Sequence, residues 1–118
     1  MSFKITRVYS DENGDSHFDE VSYPFVSNST IGYLTGEVEA KGVIFREVIA
    51  SYDYDFHTAP QKQFVVLLDG GIEIETSLGE KRSFQQGEVL LLEDVSGKGH
   101  RTKNLSPKPR RSLFITLT

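Results

Sequence analysis

No stretch of this chain repeats its apolar residues at helical spacing. Short runs rich in Val, Ile, Phe and Tyr alternate instead with Gly, Asn, Asp and Pro, which confines the fold to β-strands joined by turns. Phe3 to Tyr9 and His17 to Tyr23 read as strands around an Asn13-Gly14 turn, and Pro24 argues against continuing the second within a sheet. Asn28 to Gly42 reads as a loop with one short strand near Tyr33. Val43 to Ala50 and Ser51 to His57 are strands. Phe64 to Leu68, apolar on both faces, is a buried one. Asp69-Gly70-Gly71 has the composition of a hairpin turn. Ile72 to Glu75 then alternates strictly, Arg82 to Phe84 pairs back, and Val89 to Leu92 and Leu113 to Leu117 complete some nine or ten strands. That spacing suits a sandwich or barrel. With 118 residues, no internal repeat and no linker, residues 1–118 are read as a single domain.

Composition removes several functions. The absence of cysteine excludes disulfides, thiolate metal sites and a cysteine nucleophile. A net charge of −4, with acids clustered from Asp11 to Glu20, argues against nucleic acid. A basic group (Lys98, Arg101, Lys103, Lys108, Arg110, Arg111) reads as a solvated rim, the alternatives being a site for an anionic ligand or for a partner's acidic patch. The longest apolar runs are too short for a bilayer helix, and Met1 to Arg7 leads into charges rather than an export signal, so a cytoplasmic protein is expected.

The candidate chemistry sits at strand ends between Asp55 and Asn104. With regular alternation, Tyr52, Tyr54 and Phe56 share one face and Asp53, Asp55 and His57 the other. Gln63 opens the buried strand, and His100 follows the glycine-bearing turn Ser96-Gly97-Lys98-Gly99. Gly97-Lys98-Gly99 lacks the spacing and the helix of a phosphate-binding loop. One of Arg46 and Glu47 should point inward; Arg46 reads either as an inward clamp for a carboxylate or as an exposed edge-strand charge. An Asp55–His57 pair would raise the imidazole pKa and create a base without a cation.

These residues resemble the paired motifs of the cupin family. His57 matches the second histidine of the first motif, with Gln63 in the glutamate place and Gly70 six residues later. Gly87 opens the second motif, His100 takes its histidine place and Asn104 stands three residues on. Asp55 stands where the first histidine belongs. The resemblance implies an all-β, cupin-type double-stranded β-helix (jelly-roll) barrel. It also implies a divalent transition metal (Fe, Mn, Ni, Zn or Cu) held by His57, Gln63 and His100, with Asp55 in the remaining slot. Arg46, Asp55, Gln63 and His100 are the expected ligand-binding residues and His57 the expected catalytic base. Three functions stand open: a metal-dependent enzyme acting on a small oxygen-rich substrate, a metal-free epimerase or isomerase, and a non-catalytic binder of a small anion. A homodimer covering the Tyr52, Tyr54 and Phe56 face is expected.

Overall fold

The computed structural model describes residues 1–118 and contains only strands and turns. The eleven strands are β1 (Ser2–Ser10), β2 (Ser16–Ser29), β3 (Gly32–Thr35), β4 (Gly42–Val48), β5 (Asp53–His57), β6 (Gln63–Leu67), β7 (Ile72–Thr76), β8 (Lys81–Phe84), β9 (Val89–Glu93), β10 (His100–Asn104) and β11 (Arg110–Thr116). They form a seven-stranded sheet, β3-β2-β1-β9-β6-β11-β4, and a four-stranded sheet, β5-β10-β7-β8. Without the first three strands, β4 to β11 divide into four strands per sheet, crossing between the sheets at every connection except the β7–β8 hairpin, with antiparallel pairing throughout. The fold is therefore a jelly roll. The β1–β2–β3 extension widens the larger sheet by a parallel β1–β9 pairing.

The core lies between the sheets, where Val8, Val65, Leu67, Leu90 and Leu92 of the larger meet Ile72, Ile74 and Phe84 of the smaller. Ile5, Phe64 and Leu91 form a second apolar cluster with partly buried neighbours such as Val21 and Tyr23. This explains why β6 is apolar on both faces: alternate residues belong to different clusters. No helix is present that is long and apolar enough to cross a membrane.

Three strand expectations change. Asp69-Gly70-Gly71 is not a hairpin turn: β6 and β7 belong to different sheets, and the glycines carry the chain across the corner. The strand His100–Asn104 escapes an apolar-pattern reading because its buried positions are His100 and Thr102. Pro24 lies inside β2, at the point where the ladder to β1 ends and that to β3 begins, so its missing N–H interrupts neither.

Candidate functional site

A cavity of about 390 Å³ opens between the sheets, within the size range of small-molecule sites. Apolar residues from both sheets, among them Val65, Leu90, Ile72 and Ile74, line it. Its polar groups include Arg46 on β4, Gln63 on β6, His57 on β5 and His100 on β10, with Thr58, Gln61 and Thr102 beside them. The structure thus brings together four of the five residues singled out in the sequence. Asp55 is left outside, exposed, with its carboxylate accepting the Phe56 N–H at 2.8 Å.

His57 and His100 face each other across the β5–β10 ladder, with ring centroids 4.7 Å apart. Gly99 sets this approach: its φ is +72°, and a Cβ there would fall 2.0 Å from the His57 carbonyl oxygen, so only glycine fits. The turn before it is pinned to the N-terminal hairpin: Ser16 Oγ donates to the Gly99 carbonyl at 2.6 Å and the Lys98 N–H to the Gly14 carbonyl at 2.9 Å.

The Asp–His pair is not the expected one. Asp55 receives His57 Nδ1 through its backbone carbonyl, at 2.8 Å, and its carboxylate takes no part. The His57 pKa is consequently lowered rather than raised: burial dominates, and the charges of His100 and Arg46 work in the same direction. The buried carboxylate belongs to Asp94, 0% exposed, whose Oδ2 lies 2.5 Å from Nδ1 of His100, itself 2% exposed. A carboxylate and a carbonyl oxygen only accept, so each imidazole in its neutral form carries its proton on Nδ1 and leaves the Nε2 lone pair free. No protein group bonds either Nε2 or the side-chain amide of Gln63, which is 3% exposed.

The aromatic residues also depart from the alternation. The β5–β10 register shifts between His100 and Thr102. This irregularity resets the parity, as a bulge does. Tyr52, Tyr54 and His57 therefore line the same cavity, and Tyr54 stacks on His57 with 3.8 Å between ring centroids. Only Phe56 of the proposed aromatic face stays out of it.

Arg46 donates from Nε to Ser112 Oγ at 3.2 Å, and its guanidinium lies 4.5 Å from the centre of the Phe114 ring. Glu47 points the other way and pairs with Arg111. Lys98 pairs with Asp15 and Arg101 with Asp53, and neither reaches the cavity.

A divalent metal finds here two imidazole lone pairs and one carboxamide oxygen. No three His, Cys, Asp or Glu side chains of the chain are grouped to hold a metal ion. The nearby carboxylate of Asp94 is turned to the far nitrogen of His100, and the Arg46 guanidinium shares the cavity wall. This set offers a divalent cation no anionic ligand and a repelling charge.

Asp94 goes unrecognised in the sequence, and Arg110, which lies beside the cavity rather than in its wall, is read there only as one of a basic rim. The signal for Asp94 is a carboxylate next to the strand end Val89–Glu93, six residues before His100 and separated from it by two glycines. Arg110 heads the inward row Arg110, Ser112, Thr116, all buried.

Comparisons with known proteins bear on the fold only. No protein-family model matches the chain, and no curated protein does. Among solved structures it is similar to NMB1881 from Neisseria meningitidis (14% identity, 70% of this chain and 84% of that one, TM-score 0.47). It is likewise similar to the cupin domain of Cnp3 from Schizosaccharomyces pombe (14%, 98% and 83%, TM-score 0.47). A putative ethanolamine utilization protein Q from Salmonella typhimurium is a third (14%, 99% and 97%, TM-score 0.39). The strand order, rather than these distant likenesses, defines the jelly roll.

Proposed function

We propose that this jelly roll binds a small organic anion in the cavity between its sheets. The observation that carries the reading is Arg46: a guanidinium in the wall of an otherwise largely apolar cavity, with no carboxylate of its own. A ligand carboxylate would meet its fork bidentately in a site of low dielectric. The Nε2 lone pairs of His57 and His100 and the amide of Gln63 would then take hydroxyl or other polar groups of the ligand. Calorimetric titration with benzoate tests this. Binding by the wild type, weakened at least tenfold in Arg46→Gln, is the expected result; no binding, or binding indifferent to the substitution, overturns it. Zn²⁺ or Mn²⁺ provides the opposing arm: a stoichiometric ion retained by the wild type and lost in His57→Ala with His100→Ala would return the site to a metal.

A second reading is favoured by the Asp94–His100 pair. A buried carboxylate that fixes the tautomer of an imidazole and stabilises its protonated form is the arrangement of a general base. Proton abstraction beside the carbonyl of a bound 2-oxo acid would use His100 Nε2, in place of the His57 base expected from the sequence. Deuterium incorporation at C3 of pyruvate above the buffer rate, abolished in His100→Ala, is the expected result. Exchange no faster than in buffer would leave a binding protein.

A further inference from the structure

The chain has six arginines, and four of them are ion-paired: Arg7 with Asp19 and Glu93, Arg82 with Glu80, Arg101 with Asp53 and Arg111 with Glu47. The two that meet no carboxylate are Arg46 and Arg110. They are near neighbours, since Ser112 lies opposite Arg46 and Arg110 opposite Val48 in the β4–β11 ladder, which puts all four residues on one face of the sheet. Both guanidiniums stand against a single ring, that of Tyr52, at 5.4 Å and 5.3 Å from its centre.

Arg110 is the more unusual of the two. It is 1% exposed, and Nε donates to Asn104 Oδ1 at 2.7 Å, but Nη1 and Nη2 are buried without a partner. Asn104 is itself held by donating its amide to the Ile49 and Ala50 carbonyls, so the guanidinium is fixed in place rather than loosely packed. Burial, followed by repulsion from Arg46, pushes the Arg110 pKa down to about 10. A cation held dry beside a second cation is costly unless an anion compensates it.

We propose that Arg46 and Arg110 together clamp the phosphate group of a small phosphate monoester, whose organic remainder occupies the cavity between the sheets. The proposal rests on the organic-anion reading of that cavity and narrows it to a ligand class. A carboxylate carries one charge and satisfies one guanidinium fork. A phosphate monoester carries nearly two charges and three acceptor oxygens, and so answers two guanidiniums that share one ring. Arg110 lies outside the cavity wall, beside Asp69, Gly70 and Asn104, and to reach it from the cavity the phosphate displaces the Tyr52 ring, which belongs to the short turn after β4 where the Tyr52 N–H meets the Ile49 carbonyl at 3.1 Å.

Phenyl phosphate and benzoate, titrated into the full chain near pH 8, provide the test. The wild type should bind phenyl phosphate at least tenfold more tightly than benzoate. Arg110→Lys, which keeps the charge but loses the fork, should bring the two within about threefold by weakening phenyl phosphate more than benzoate. Phenyl phosphate binding no tighter than benzoate overturns the clamp and leaves the organic-anion site standing; failure of both ligands overturns both. Equal loss of the two ligands in Arg110→Lys overturns the clamp by reducing Arg110 to a structural residue. Inorganic phosphate that displaces phenyl phosphate at equal concentration overturns the monoester assignment. The wild-type comparison decides the matter even where the variant does not fold.

Discussion

Nδ1 of His100 lies 2.5 Å from Oδ2 of Asp94, and both side chains are closed off from bulk solvent. The pair turns a polar strand end into a defined hydrogen-bonding surface, because it dictates which imidazole nitrogen meets the cavity. In the ¹⁵N spectrum of histidine-labelled protein, His100 should show the Nδ1–H tautomer, and Asp94→Ala should shift it toward Nε2–H. An unchanged tautomer in the variant would remove Asp94 from the site. Loss of this buried bond should also lower stability by roughly 1–3 kcal/mol, read from urea midpoints.

His57 sets a pH dependence of known sign. Its folded pKa lies below the ordinary value of 6.5 because the ring is desolvated. The unfolded chain therefore binds more protons in that window, and stability rises with pH. This contribution is whole above about pH 6.5, drains away as the pH falls, and levels off below the folded pKa. The stability difference between wild type and His57→Gln should therefore shift in favour of the wild type as pH rises from about 5 to 7.5. A flat difference would show that His57 titrates normally.

Gly99→Ala tests the closeness of the strands. The new Cβ meets the His57 carbonyl at 2.0 Å on a backbone with φ +72°, so a cost of roughly 2–4 kcal/mol is expected. The histidine rings should also move apart, lowering benzoate affinity even where the fold survives in mild conditions. Full stability in this variant would mean that β5 and β10 tolerate separation.

Arg110→Met should uncouple stability from binding. Replacing an unpaired buried charge by an apolar side chain of similar length relieves its desolvation, though it leaves Asn104 Oδ1 without its donor. The net expectation is a gain of about 1 kcal/mol in the free protein, some 4 °C in melting temperature, together with weaker phenyl phosphate binding. A drop of more than about 2 kcal/mol would instead identify Arg110 as a net stabiliser.

Fold class was legible in the sequence because turn glycines and β-branched runs are local signals. The sheet partners of those runs were not, since a corner and a hairpin use the same glycines: Asp69-Gly70-Gly71 reads as either. That His57, Gln63 and His100 share one cavity is expected from their places at strand ends, and they do line the same one. Tyr52 and Tyr54 were assigned to the wrong face because one irregularity opposite Thr102 resets the alternation, and no residue type marks it. Asp94 and the burial of Arg110 escape the sequence for a related reason. A charged residue reads as surface unless its surroundings are known, and neither the turn that brings Asp94 back onto His100 nor the packing that buries Arg110 has a residue signature.

The polar groups of the cavity stand on opposite walls: Arg46 and Gln63 on the larger sheet, His57 and His100 on the smaller. A molecule gripped by both walls acts as a removable rivet. Separation of the sheets would then require breaking the ligand's own contacts, so occupancy would be legible far from the cavity, in slower hydrogen exchange along β5 and β10 and in a sandwich that opens as one body or not at all.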